Sequence, residues 1–219
     1  MAQIRIAQEQ AAGVAGTSAL PSSEVGTAMP NPRLVAADDT SVLWGPFAER
    51  LKTTDNPRQR KILETLIEHL RAESVGDLEA TMATVAPDAR FINPFGQGPS
   101  GWDEIREHYK AVFAAGGIGN MIVETHRVVV DDHAIVNEYT FGFVVPWRLA
   151  KEQGYAIEHA EGHYHVRQHA STMLPFDPEG KLRGEISYGR HKDPLDFERV
   201  PDDELSPGYL QWLDNLPAT

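Results

Sequence analysis

The sequence predicts a cone-shaped α+β domain in which three helices pack inside a curved sheet of mixed or antiparallel strands. Apolar residues recur at helical spacing between residues 56 and 117, and long β-branched runs separated by turn residues follow Gly119. A length of 219 residues suits one domain with appendages. We therefore expect a flexible extension over residues 1–43, the domain over 44–190, and an acidic tail with a short helix over 191–219.

The composition excludes several classes of protein. The chain has 20 Lys and Arg against 32 Asp and Glu, a net charge of −12, which argues against nucleic acid or an anionic membrane as a partner. It has no cysteine, so disulfides, thiol nucleophiles and Cys-ligated metals are excluded. There is no apolar run of about 18 residues, and the N-terminus lacks the apolar stretch of a signal peptide. We expect a cytoplasmic protein.

The first 43 residues contain no aromatic side chain and are rich in Ala, Gly, Ser and Pro, a composition that cannot bury enough surface to order the chain. Trp44–Phe47 marks the point where the chain meets the domain. Asn56 then supplies an N-cap and Pro57 the first helical position. The apolar stripe of this first helix runs from Ile62 to Leu70.

Two further helices follow in the sequence. Asp77 can cap a short second helix, which Pro87 stops. The third helix begins at Ser100, where Asp103 completes a capping box, and Gly116-Gly117 ends it.

Four strands are then predicted to form an antiparallel meander. They are separated by turns at 131–133 and 177–180 and by the polar segment 147–160, which is a candidate lid or hairpin loop. The predicted strands are Met121–Val130, Ala134–Val145, Gly162–Phe176 and Lys181–Tyr188. A sheet curved around helices leaves a conical pocket, in which a small molecule would bind.

Several short motifs between residues 56 and 190 occur in a recognisable order and spacing. They are Gly76-Asp77-Leu78, Pro87-Asp88-Ala89-Arg90-Phe91, Asn93-Pro94-Phe95-Gly96, Ser100-Gly101, Phe176-Asp177 and Gly180-Lys181-Leu182. In these motifs the sequence resembles the nuclear transport factor 2-like superfamily, which includes ketosteroid isomerases, SnoaL-like polyketide cyclases, limonene epoxide hydrolase and scytalone dehydratase. The resemblance implies the cone fold and leaves the reaction open, because this scaffold supports many chemistries.

The resemblance carries over few of the catalytic residues of the superfamily. Asn93 stands where ketosteroid isomerases have a general-base Asp, His69 where they have an oxyanion-hole Tyr, and Thr172 near their second acid. The acid on the last strand of epoxide hydrolases and polyketide cyclases falls near Ser187, so Glu185 would replace it only through a register slip or a bulge. A steroid isomerase with the usual acid–base set is therefore not expected.

The first candidate site combines His69 with Asn93 and Tyr164. His69 flanks the apolar stripe of the first helix and could act as an acid, a base or an oxyanion donor. Alternatively, it is a structural histidine satisfied by a carboxylate such as Glu73. Asn93 could orient water or polarise a carbonyl, or it could form the turn before Pro94. Tyr164 could donate a hydrogen bond to a ligand, or it could only fill space.

The second candidate is the histidine-rich segment 159–169. His163, His165 and His169 project from one face of the predicted strand. Parity counted from Phe176 places the even-numbered residues in the cavity and these histidines on the convex face. There they would form a polar dimer interface; acid–base groups in the pocket and metal ligands are the alternatives.

Glu138 and Tyr139 have opposite parity on one strand, so one of them must face inward. An inward Glu138 would have a raised pKa and could shuttle protons, whereas an outward Glu138 would pair with Arg167 or Arg183. Aromatic side chains and one hydroxyl could also wall the pocket, although the aromatic ones more commonly fill the core. They are Trp102, Tyr109, Phe113, Phe141, Phe143 and Thr172.

From these residues we expect an enzyme that uses no organic cofactor and no metal. Its substrate would be a small hydrophobic carbonyl or hydroxyl compound, such as a polyketide, steroid or terpenoid, and its reaction an isomerisation, cyclisation, dehydration or hydration. The alternative is a non-catalytic ligand-binding module, or an accessory subunit like the small subunit of ring-hydroxylating dioxygenases, which the absence of Asp at position 93 favours. Metal-dependent chemistry is a third possibility. We also expect a homodimer formed through the sheet.

Overall fold

The computed structural model describes residues 40–93, 96–114, 121–152, 155–157, 159–189, 196–205 and 207–214. Its helices are α1 (Ser41–Lys52), α2 (Pro57–Ser74), α3 (Leu78–Ala83), α4 (Trp102–Ala114), α5 (Trp147–Glu152) and α6 (Pro207–Asp214), with a 3-10 turn at Asp202–Glu204. Its strands are β1 (Val85–Ile92), β2 (Met121–Val130), β3 (Ala134–Pro146), β4 (His163–Pro175), β5 (Leu182–Gly189) and β6 (Asp196–Val200). Over these ranges no helix combines the length and the apolar character that crossing a membrane requires.

The strands form one curled, open sheet in the order β1-β5-β4-β3-β2, and β6 pairs with the first residues of β4. β1 runs parallel to β5, and the other neighbouring strands are antiparallel. The predicted α+β fold with a curved mixed sheet is confirmed. The expected four-strand antiparallel meander is present as β2-β3-β4-β5. The sheet has two further strands that the sequence analysis did not predict: β1, which lies beside β5, and β6, which lies beside the first residues of β4.

The two additional strands lie in segments whose local sequence does not indicate a strand. The sequence places Pro87 at the end of the second helix, but α3 ends at Ala83 and Pro87 lies inside β1. β1 is an edge strand, where the missing N–H of a proline is tolerated. β6 lies in the segment predicted as an acidic tail, and charged side chains are common on such edges.

α1 is a further correction, because the sequence predicts a flexible extension up to residue 43. The pair Gly45-Pro46 resembles a helix break, since proline lacks the N–H that an interior helical turn uses. The helix is present nevertheless; Phe47 is buried in the core, and α1 packs against α2. Tertiary packing therefore outweighs the local cost of the proline. Residues 1–39 of the predicted extension lie outside the described residues.

The caps of the other helices agree with the sequence in part. The Asn56 side chain accepts hydrogen bonds from two backbone N–H groups of the first turn, at 2.8 and 3.2 Å, so α2 begins where predicted. Asp77 caps α3 as expected. At α4 the carboxylate that accepts from the Ser100 N–H is that of Glu104, at 2.9 Å, instead of the predicted Asp103.

The segment 147–160, predicted as a lid or loop, begins with a short helix. Ala150 of α5 is buried in a small cluster with Val145 and Val166, and Tyr155 packs against that cluster. Residues 153, 154 and 158 of the segment lie outside the described residues. The described part is therefore anchored on the sheet through apolar contacts.

The sheet has two faces, which we name by what they meet. The inner face meets α2 and carries Asn137 and Thr172, which pair across the β3–β4 ladder. The outer face is the opposite side and carries Glu138 and His169. Parity separates the two sets because successive side chains of a strand alternate between its faces. The main hydrophobic core fills the space between the helices and the inner face.

Candidate active site

A cavity of about 160 Å³ opens between α1, α2 and the inner face of the sheet. Its apolar lining consists of Leu43, Phe47, Leu66, Leu70, Val123 and Leu174. Its polar lining consists of Glu73, Asn137, Tyr139, Thr172 and Glu185. Because an apolar cavity of about 150 Å³ holds a benzene molecule, this one has room for a small compound.

His69 lies behind this cavity, on the buried face of α2, and has no exposed surface. Its Nδ1 lies 2.8 Å from Oγ1 of Thr84. Its Nε2 lies 3.0 Å from the hydroxyl of Tyr109 and 3.5 Å from Oε1 of Glu185. Of these partners only Glu185 lines the cavity, so its carboxylate is the group that connects His69 with the cavity.

The hydrogen bonds of Thr84 fix the tautomer of this histidine. The Thr84 hydroxyl donates to the carbonyl of Thr81 at 2.6 Å, so its oxygen accepts from Nδ1–H of His69. In the neutral ring Nε2 is then the acceptor, and the Tyr109 hydroxyl donates to it. A second proton on Nε2 would face the Glu185 carboxylate at 3.5 Å, which gives a short path for proton exchange between the two groups.

Burial and charge shift the protonation equilibria around His69. Burial opposes its protonation, but the hydrogen bond with Glu185 and the negative charge of Glu73 outweigh it, so the pKa of His69 is raised above its ordinary value. Burial, reinforced by the charge of Glu185, raises the pKa of Glu73 to about 7. Glu73 can therefore hold its proton near neutral pH and act as a general acid at the cavity wall.

Hydroxyl and amide groups line the sheet side of the cavity. The Tyr139 hydroxyl lies 2.9 Å from Oγ1 of Thr172, which lies 3.1 Å from Oγ of Ser187. Asn137 is 8% exposed, and its amide oxygen has no hydrogen-bond partner within the described parts of the chain. These groups can hydrogen-bond a ligand in the cavity.

Some of the predicted site residues lie at this cavity or behind it. Thr172 lines it, on the face that parity counted from Phe176 predicts. Tyr109 lies behind it as a partner of His69. A direct acid–base role for His69 stays a prediction; its ring is completely buried, and its partner Glu185 lines the cavity.

Glu138 and His169 lie on the outer face, away from the cavity. Nε2 of His169 is 3.1 Å from Oε1 of Glu138, and Nη1 of Arg127 is 3.8 Å from Oε2. Glu138 therefore faces outward and Tyr139 inward. The cation near Glu138 is Arg127 of β2, whereas the sequence suggests Arg167 or Arg183.

The other two histidines of β4 also lie outside the cavity. His165 is 2% exposed, and its Nδ1 lies 4.0 Å from Oε1 of Glu198 in β6. Nδ1 of His163 lies 2.6 Å from the hydroxyl of Tyr209 in α6. Across the described ranges of the chain, no three His, Asp or Glu side chains are close enough together to hold a metal ion.

Tyr164 and Asn93 have local partners, and neither lines the cavity. The Tyr164 hydroxyl donates to the carbonyl of His159 at 2.8 Å. Asn93 is exposed, and its side-chain oxygen accepts from the N–H of Gln97 at 3.1 Å, within a surface turn. This geometry matches the turn-forming alternative for Asn93 and the space-filling alternative for Tyr164.

The predicted aromatic wall belongs to the packing around the cavity. Trp102 and Phe113 pack against the main core, and Phe113 stacks on Tyr109 with ring centres 5.5 Å apart. Phe141 and Phe143 stack on each other with ring centres 5.8 Å apart. None of these aromatic residues lines the cavity.

The sequence analysis missed the two carboxylates of the cavity and its amide as site residues. Glu73 follows His69 by four residues, which places both on one helix face. Glu185 precedes Ser187 by two residues, so both lie on the inner face without any slip of the β4–β5 register, in which Thr172 pairs with Ser187. Asn137 interrupts an otherwise apolar and aromatic face of β3, and this interruption is a signal that the sequence does contain.

A family model described as a SnoaL-like domain matches residues 66–172, from within α2 to near the end of β4. Over these residues the chain is therefore similar to SnoaL-like domains. No curated protein matches the sequence.

Solved structures are similar to this chain at low sequence identity. A protein of M. tuberculosis, described as an LEH-like epoxide hydrolase, shows 14% identity and a TM-score of 0.46 over 73% of this chain and 95% of its own. A protein from Shewanella putrefaciens, assigned as a SnoaL-like polyketide cyclase, shows 14% identity and a TM-score of 0.48 over 67% and 89%. SalBIII, an epoxide hydrolase/cyclase-like enzyme of pyran ring formation in salinomycin, shows 15% identity and a TM-score of 0.44 over 62% and 95%.

Proposed function

We propose that this protein is an acid–base enzyme that moves a proton on a small hydrophobic compound carrying a carbonyl or hydroxyl group. One observation supports the proposal above all. The Glu185 carboxylate lines a small cavity and also lies 3.5 Å from Nε2 of a completely buried histidine, His69. A carboxylate backed by a buried imidazole is suited to accept a proton and pass it on.

In this proposal Glu185 is the base. Its carboxylate takes a proton from the carbon next to the substrate carbonyl, and the electron pair of the broken C–H bond forms an enolate. The Tyr109 hydroxyl then turns its proton away from Nε2 of His69, and the proton passes from Glu185 to that nitrogen. His69 does not line the cavity and is a positioning and proton-holding residue.

Glu73 is the acid of the proposed site. Its pKa of about 7 lets it donate a proton to the enolate oxygen at neutral pH. When a proton returns to carbon, the enol O–H proton returns to Glu73 and the carbonyl is restored. Return of the stored proton to another carbon gives an isomer, and return of a solvent-derived proton to the same carbon gives isotope exchange. Either outcome leaves atoms and charge balanced and both glutamates in their starting states.

A second candidate function is non-catalytic binding of a small ligand in the same cavity. It is favoured by Asn93, which stands where ketosteroid isomerases have their base and forms a surface turn outside the cavity. Binding without turnover would also need none of the proton-transfer geometry around Glu185.

Deuterium exchange tests the enzyme hypothesis without knowledge of the natural substrate. Cyclohexanone in D₂O serves as the probe, and proton NMR measures the loss of its α-hydrogens. We expect the wild-type protein to accelerate this exchange, and Glu185→Gln to reduce the acceleration by about 100-fold or more, as is typical for loss of a general base. Glu124→Gln, an exposed glutamate on β2, is the matched control and should exchange at the wild-type rate.

Equal exchange rates for wild type and Glu185→Gln would contradict the proposal. So would a wild-type rate no higher than that of buffer when NMR shows that cyclohexanone occupies the cavity; that result would favour the binding function.

A further inference from the structure

Asn137 is a buried polar side chain whose amide oxygen no described residue satisfies. It is 8% exposed and lines the cavity, yet its amide oxygen accepts no hydrogen bond in the described part of the protein. Leaving a buried acceptor unpaired is unfavourable, and such groups in native proteins usually have a role. Here the acceptor lies where a bound molecule can reach it.

The neighbouring hydroxyl groups complement this acceptor. Tyr139, Thr172 and Ser187 form a chain with contacts of 2.9 and 3.1 Å. Each hydroxyl has one proton, and the two contacts use two of the three protons. The third is free on Tyr139 when Ser187 donates to Thr172 and Thr172 donates to Tyr139, and it is free on Thr172 when both neighbours donate to Thr172. In either arrangement it is carried by a residue that lines the cavity, as Asn137 does. The wall thus presents an acceptor and a donor side by side.

The charges of the cavity select against anions. Glu73 and Glu185 both line it, and its described lining residues include no Lys, Arg or His. An anionic ligand would therefore meet one or two carboxylates with no counter-charge at the wall, and burying an unpaired charge is costly. A neutral ligand avoids this penalty.

We propose that the cavity binds a neutral ligand about the size of a six-membered ring, and that it recognises a hydroxyl group on that ligand. The hydroxyl donates to the amide oxygen of Asn137 and accepts from the Tyr139–Thr172–Ser187 chain. The inference rests on the proposed function only in placing the ligand in this cavity. Asn137 is then the residue that determines specificity.

Binding of three probes tests this recognition. Phenol carries a hydroxyl, toluene has the same ring with a methyl group, and benzoate carries a charge. A purely apolar cavity would bind toluene more tightly than phenol, because toluene is the more hydrophobic. We expect the reverse, with phenol about tenfold tighter than toluene and benzoate at least tenfold weaker than phenol at pH 7, measured by protein-observed NMR titration.

Asn137→Leu replaces the amide with an apolar group of similar size. We expect it to remove the preference for phenol over toluene. Thr172→Val breaks the hydroxyl chain and provides a second variant if Asn137→Leu does not fold; it should reduce the preference as well. Ser171→Ala, next to Thr172 but on the outer face, is the control and should keep the wild-type preference.

Several results would overturn the inference: toluene binding as tightly as phenol, benzoate binding more tightly than phenol, an unchanged preference in both variants, or no binding of phenol to the wild type. Glu185→Gln separates this test from the test of function. If it binds phenol normally but does not accelerate exchange, both proposals stand. If the wild type prefers phenol but accelerates no exchange, the recognition stands and the catalytic proposal fails.

Discussion

Each face of the sheet carries a glutamate paired with a histidine, Glu185 with His69 of α2 and Glu138 with His169 of β4, and the two pairs differ in their surroundings. On the inner face, His69 and Glu185 are 3.5 Å apart, with exposed fractions of 0% and 31%. On the outer face, His169 and Glu138 are closer, at 3.1 Å, but their exposed fractions are 43% and 35%. The shorter distance therefore belongs to the more exposed pair.

The comparison shows that burial and further partners, more than distance, set the chemistry of such a pair. Solvent and salt screen the outer pair, and an ion pair of this kind contributes little. The inner pair is enclosed by Thr84, Tyr109 and Glu73, which hold the ring in one tautomer and raise its pKa. Both pairs border a pocket, and the inner pair differs in the complete burial of its histidine.

The largest difference in stability is expected between the alanine variants of His69 and His169. His69→Ala leaves the buried hydroxyls of Thr84 and Tyr109 without their partner and creates a cavity, so it should lower the free energy of unfolding by about 3 kcal/mol. His169→Ala should change it by less than about 0.5 kcal/mol. Urea denaturation measures both values. Similar losses for the two variants would remove the distinction between the faces.

A smaller, pH-dependent effect is expected at Glu73. Its folded-state pKa is raised from 4.5 to about 7, so the folded protein binds this proton more tightly than the unfolded chain does. Wild-type stability should therefore fall as the pH rises from about 4.5 to about 7. His69, whose folded-state pKa is also raised, acts in the same direction once the pH exceeds 6.5.

Glu73→Gln removes the ionisation of this side chain. The variant should be more stable than wild type by about 1–2 kcal/mol at pH 8 and equal to it at pH 4. Glu68→Gln, an exposed position on the same helix, is the control. Denaturation curves at both pH values measure the effect; a gain that is the same at pH 4 and pH 8 would disprove the assignment.

The smallest effect on stability is expected from removal of the Tyr109 hydroxyl, which donates to His69. Tyr109→Phe keeps the packed ring and removes one buried hydrogen bond, so the loss of stability should be about 1 kcal/mol. Tyr188→Phe, at a position 61% exposed, should have no measurable effect. Urea denaturation measures both variants. A loss of stability from Tyr109→Phe as large as that from His69→Ala would mean that the aromatic ring at position 109 does not keep its wild-type position.

The elements with regular patterns were predictable from the sequence, and those that break a local rule were not. β-branched runs predict β2 and β3 nearly to the residue, and Asn56-Pro57 predicts the start of α2. α1 and β1 were missed because Pro46 and Pro87 argue against them locally. Packing on α2 and an edge position in the sheet override those signals.

The site was harder to predict than the fold, because it depends on which side chains meet across the chain. Parity places Thr172 in the cavity and His169 on the outer face. It does not show that helix α1 closes the cavity, or that Glu185 lies between His69 and a ligand. Those facts follow from tertiary packing over separations that no local pattern encodes.

Titration of His69 by NMR tests the central claim, that a buried imidazole shares its proton with the carboxylate of the cavity. Nitrogen-15 shifts should show that neutral His69 carries its proton on Nδ1 and that its pKa lies above the ordinary value of 6.5. Glu185→Gln should lower that pKa, and Glu138→Gln, on the outer face, should leave it unchanged. A His69 that carries its proton on Nε2, or whose pKa does not respond to Glu185→Gln, would contradict the account.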